Sequence, residues 1–72
     1  MPLANIKVIE GVFTDDEKRQ LIEKVSDAMI SVEGEHIRDK TVVIVEEAKS
    51  GDWGVGGQSL TAQAVKGLRA AS

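Results

Sequence analysis

With 72 residues, a net charge of −3 and no cysteine, the chain forms one domain at most, without disulfides or thiolate metal sites. An acidic balance with one Trp, one Phe and no Tyr argues against nucleic-acid binding. No apolar run approaches the ~18 residues of a membrane span and no basic-then-apolar leader is seen, so a soluble cytoplasmic protein with no membrane partner is expected. His36, the single histidine, has no cluster of metal-ligand spacing around it, so no metal is expected. Domains of this size bury only about 60% of their unfolded surface and usually need a staple or a partner. Self-association remains, and the 42% hydrophobic content suits it.

Pro2 directly follows Met1. Because the second residue is small, the methionine is expected to be removed. Proline is then left as a secondary amine able to accept and donate a proton. Residues 3–9 read as a strand, with Ala4, Ile6 and Val8 on one face and Leu3, Asn5, Lys7 and Ile9 on the other. Glu10-Gly11 ends it. Thr14 and Glu17 have the spacing of a capping box, and the acidic residues there suit the positive end of a helix dipole. A helix over about 15–33 follows, with Leu21, Ile22, Val25, Ala28, Met29 and Val32 forming one apolar stripe and Gly34 as its stop.

Residues 41–45, Thr-Val-Val-Ile-Val, are a continuous β-branched run of the kind covered on both faces. Strand, helix, strand implies a parallel, right-handed βαβ unit. One helix cannot cover both faces of that sheet, so an apolar face is left for a partner chain. Residues 50–57 form a glycine-rich segment that suits a small hairpin. The tail, 60–72, carries Ala62, Ala64, Val65 and Leu68 and reads as a short helix or a frayed arm. The chain thus reads as a single domain over 1–72, with a core of 2–60 and a C-terminal arm of 61–72.

In this order and spacing, several segments resemble the 4-oxalocrotonate tautomerase family over roughly residues 2–60. They are Pro2, Ile9-Glu10-Gly11, Thr14-Asp-x-Glu-Lys, Leu21-Ile22, Val25-Ser26, Val42–Val45, Glu47-Ala48-Lys49 and Trp53-Gly54-Val55-Gly56-Gly57. The resemblance implies an α/β (α+β) protomer: a small β-α-β unit with parallel strands and a C-terminal β-hairpin, assembling as a hexamer from three dimers. It also implies keto–enol isomerisation of a small 2-hydroxy-dienoate or 2-keto acid, with the Pro2 amine as general acid and base and no cofactor. Trp53, Leu3, Ile9 and Val55 match its substrate-pocket positions.

Two departures stand out against that pattern. The best-known family members carry an arginine straight after Glu-Gly, where this chain has Val12 and Phe13. A second arginine usually opens strand two, where Thr41 stands. Arg38 and Lys40 flank Thr41, but an odd-numbered shift along a strand points a side chain to the opposite face. Only a bulge or a changed register recruits them. Lacking these carboxylate-binding arginines, the site suits a substrate less charged than 2-hydroxymuconate. An alternative is a non-catalytic or accessory subunit of a hetero-hexamer. A third class, hydration or dehalogenation of an unsaturated acid, needs a positioned carboxylate to activate water, and Glu47 is the candidate.

Overall fold

The alternation over residues 3–9 and the β-branched run after residue 41 pair as anticipated. The computed structural model describes residues 1–70. In it β1 (Leu3–Ile9) and β2 (Val42–Ala48) lie parallel, with α1 (Asp15–Glu33) crossing between them. A hairpin of β3 (Trp53–Val55) and β4 (Gln58–Leu60) follows, then α2 (Ala62–Ala70). Among the described residues no helix is long and apolar enough to cross a membrane.

Local chemistry accounts for the element ends. The Thr14 hydroxyl accepts from the Glu17 N–H at 3.1 Å, and the Glu17 carboxylate accepts from the Thr14 N–H at 3.0 Å. This is the reciprocal capping box the sequence implied. Gly34 ends α1 with φ +108° and its N–H on the Ile30 carbonyl at 2.8 Å. A Cβ at Gly34 would meet the His36 imidazole at 2.7 Å. Gly34→Ala is therefore expected to destabilise the fold by about 1–2 kcal/mol. Urea melts check this, and in a His36→Ala background only the backbone-strain part of the loss should persist. The hairpin turns on Gly56 and Gly57, at φ +60° and +82°, the signs a tight two-residue turn requires.

β2 runs three residues beyond the expected 41–45 and starts one later. The charges there are tolerated because each has a partner. Glu46 accepts from Asn5 at 2.5 Å on the open face, and Glu47 meets Lys18 of α1 at 3.2 Å. As expected of two strands and one helix, β2 is covered on only one face within a single chain. α1 covers the face of Ala4, Ile6 and Val8, while Leu3 and Ile44 on the other face stay 57% and 37% exposed.

The α1 stripe also needs correction. Ile30, outside it, is the buried residue of the helix, and Val32, inside it, is 90% exposed. Two residues along a helix turn through about 200°, so these positions face opposite ways. Val25 and Met29, half-buried, and the exposed Ala28 and Val32 line an open apolar groove along α1.

Among the described residues the buried core consists of Val8, Ile9, Val12 and Ile30. The radius of gyration, 14.6 Å, exceeds the ~11 Å of a compact chain this long. A thin core and an elongated outline are what a subunit shows before its partners are added.

Candidate active site

The backbone ladder fixes where the sequence-predicted residues fall. Val42 N–H donates to the Pro2 carbonyl at 3.0 Å, and Glu10 N–H donates to the Ala48 carbonyl at 2.8 Å. Even-numbered residues of β1 therefore turn their backbone groups to β2. Leu3, Asn5, Lys7 and Ile9 turn theirs to an edge that no described strand pairs with.

The candidates separate into two groups. Pro2, Leu3 and Thr41 sit at the start of the sheet, with Arg38 and Lys40 in the 3₁₀ segment Glu35–Lys40 just before it. Ile9 and Trp53 sit at the other end, where both line one cleft. Val55, 60% exposed, lies on the hairpin and does not line it. The seven residues of β1 hold the two groups roughly 20 Å apart. A single site built from all of these residues does not come together within one chain.

At the Pro2 end the polar side chains are already committed. The Thr41 hydroxyl lies 2.5 Å from the Glu33 carboxylate and 2.9 Å from the Ile37 carbonyl, both acceptors for its one hydrogen. Arg38 binds Glu35 at 2.8 and 3.1 Å and Asp27 of α1 at 2.9 Å. These bonds, Glu35's first, push the Arg38 pKa upward and hold the Glu35 carboxyl below its usual range. Lys40 reaches Asp39 at 3.8 Å. At the other end of the sheet, opposite Val8, Glu47 is held by Lys18, whose pKa Asp15 and then Glu47 raise. Among the described residues no group of three or more His, Asp or Glu side chains is placed to hold a metal ion.

The opposite end is a cleft of about 490 Å³. β1 supplies Lys7, Val8 and Ile9, the following loop supplies Val12 and Phe13, and the hairpin supplies Trp53. Val65, Leu68 and Arg69 of α2 close it. Sequence reading missed Arg69. α2 is started by Thr61, whose hydroxyl accepts from the Ala64 N–H at 3.2 Å, a cap signal that was legible. Ser50 ties the segment down: its N–H donates to Glu10 at 3.1 Å and its hydroxyl accepts from Ala62 N–H at 2.8 Å.

Arg69 then reaches across the cleft mouth. Its guanidinium grips both oxygens of Glu17, donates to the Val12 carbonyl at 3.1 Å and stacks 4.7 Å from the Phe13 ring centroid. The Arg69 bond, and next the Thr14 backbone N–H, lower the Glu17 pKa from its ordinary 4.5 to about 2. A depressed carboxyl stabilises above its unfolded value, and the contribution is lost as pH falls through the folded value. The docking of α2 is therefore expected to weaken between pH 4.5 and 2. The effect is modest because the pair is partly exposed. Trp53 fluorescence checks it, since Glu17→Gln should remove the part of the acid transition that belongs to this pair.

A family model described as "Tautomerase enzyme" matches residues 2–63. A probable tautomerase of Helicobacter pylori is 42% identical over 62 residues, 83% of this chain and 90% of that protein. The 2-hydroxymuconate tautomerase of Bacillus subtilis is 38% identical over 61 residues, 85% of this chain and 95% of its own length. A solved 4-oxalocrotonate tautomerase isozyme from Methylibium petroleiphilum superposes with a TM-score of 0.71 at 35% identity, covering 89% of this chain and 97% of that one. With the parallel βαβ unit and hairpin in place, these matches establish that the chain belongs to the tautomerase family of enzymes.

Proposed function

We propose that this tautomerase uses the amine of Pro2, bared by removal of Met1, as its general acid and base, and that its site forms between two copies of the chain. One observation carries the reading. Pro2 and the Ile9–Trp53 cleft occupy opposite ends of β1, whose outer edge is unpaired. Two such edges joined about a two-fold axis run antiparallel, so the start of one strand lies beside the end of the other. Pro2 of one copy then meets the cleft of its partner, with Trp53 and Ile9 as apolar walls and Leu3 beside the proline. Further pairing of such dimers into a hexamer would cover the open apolar groove of α1.

The reaction is a proton shift. The neutral amine accepts the proton of an enol hydroxyl as the C2 carbonyl forms. The resulting ammonium then returns a proton to C3 of an enolised 2-keto acid, or to C5 of a 2-hydroxy-dienoate. No electron acceptor or cofactor is consumed. An α-amine titrates near 8. Apolar walls and the cation Lys7 favour its neutral form, which is the form a base needs. At the Pro2 end Thr41 is bonded to Glu33, and Arg38 to Glu35 and Asp27. The dicarboxylate 2-hydroxymuconate is therefore a poor fit.

The same observation favours a second reading, an accessory subunit completed by a different chain. Turnover of phenylpyruvate enol and 2-hydroxymuconate by mass-verified, methionine-free protein decides between them. The lead reading expects the enol to be ketonised and the muconate to be slower. Absence of turnover with both substrates would favour the accessory subunit.

A further inference from the structure

We infer that α2 is a lid, hinged at Thr61 and latched by Arg69, which swings off the cleft at the end of β1 to let a substrate reach Ile9. What enters, a small 2-keto acid enol, rests on the tautomerase reading. The lid itself stands on burial and contacts.

Leu3 and Ile9 share the face of β1 that α1 leaves open, yet Leu3 is 57% exposed and Ile9 only 3%. The difference lies in what stands over the Ile9 end. There the hairpin lines the cleft through Trp53, and α2 lines it through Val65 and Leu68. An apolar wall serves a ligand only when the ligand can touch it, and Ile9 is sealed in this arrangement.

Of the two covers, α2 is the one built to move. The hairpin is tied by its own pairing and by the Gly51 N–H on the Leu60 carbonyl at 3.0 Å. No residue of α2 is buried, and Leu68 is 68% exposed. Its first turn is pinned by the Ala62 N–H on the Ser50 hydroxyl at 2.8 Å. Its far end is held by Arg69 on Glu17, the Val12 carbonyl and the Phe13 ring. A pinned start and a polar clasp at the other end make a hinge and a latch. Between them stands Gly67, where a Cβ would meet nothing within 4 Å. No packing calls for glycine there, and it weakens the helix relative to alanine. Segments with so little buried surface open well before the whole fold does.

Because the chain has no cysteine, single introduced thiols report the opening. Assembled Ile9→Cys protein is treated with iodoacetamide in native buffer, beside Ile30→Cys, whose position on α1 is 5% exposed. The thiol at position 9 should label faster than the one at position 30, which waits for global unfolding. Adding Arg69→Met should speed labelling at position 9 by about fivefold, the upper scale of a partly exposed ion pair. Adding Gly67→Ala should slow it by about fivefold. Neither should change position 30. The two variants act in opposite directions, so a general loss of folding cannot imitate the pair. Equal rates at the two positions, or a rate at position 9 that neither variant moves, would overturn the lid. In methionine-free protein with Ile9 intact, Gly67→Ala should also lower kcat/KM for phenylpyruvate enol, and an unchanged value despite slower labelling would overturn the gating of substrate. Labelling needs no turnover. If the Pro2 chemistry is wrong, turnover fails while the labelling pattern persists, so the two failures are distinguishable.

Discussion

Protein that keeps Met1, or whose bared Pro2 nitrogen has been acetylated, is expected to be slower than methionine-free protein by about 10²–10⁴-fold, the contribution of a positioned acid/base. In both forms the nitrogen lone pair is delocalised into an amide, and an amide nitrogen is not a base near neutrality. Nothing else need change. Met1 is 91% exposed in the single chain, so its presence or absence should leave the packing within each chain as it is. Pro2→Ala is a gentler lesion, because an alanine N-terminus is still an amine. It should lose rate through poorer placement and keep a residual that rises with pH as the amine becomes neutral. Intact mass, melting temperature and kcat/KM on the same samples separate this outcome from simple misfolding.

Asn5→Pro is expected to leave a folded single chain that no longer assembles, with turnover down by more than about 10²-fold. The ladder explains the choice. Asn5 turns its N–H toward the free edge of β1, while its neighbours Ala4 and Ile6 pair with β2. Proline there removes a donor that only a partner strand uses and fits an edge position. The substitution also removes the Asn5–Glu46 bond on the exposed face, a modest loss for a surface contact. Sedimentation should show particles near the single-chain mass of 7.7 kDa, while far-ultraviolet dichroism stays close to that of the parent. If the variant assembles normally and keeps its rate, β1 pairing is not what builds the site.

Much of the frame was legible because it rests on local chemistry. Alternation over 3–9 set β1, and Thr14 with Glu17 set the start of α1 where it is observed. Gly34 set its end, and the glycine-rich stretch 50–57 signalled a hairpin, which is observed over residues 53–60 with its turn at Gly56 and Gly57. Ile30 was misjudged because an apolar stripe does not say which of its flanks meets the sheet. The parting of Pro2 from Trp53 was hidden for a different reason. A resemblance names the residues of a site but not which copy of the chain each comes from. Arg69 was missed because its partner, Glu17, lies 52 positions away. Periodicity reports the face of a helix, not its distant contacts. Thr41 is similar: its bond to Glu33 follows from how the 3₁₀ segment folds back against α1.

The shared site is tested most directly by mixing two inactive chains. One carries an acetylated Pro2 with an intact cleft. The other carries Trp53→Asp with a free proline amine. Unfolded together in equal amounts and refolded, half of the dimers contain both chains, and each of these has one undamaged site. Activity should return to about a quarter of the parent's. If the mixture stays as inactive as its two components, Pro2 and the cleft do not meet across an interface, and the shared site is ruled out.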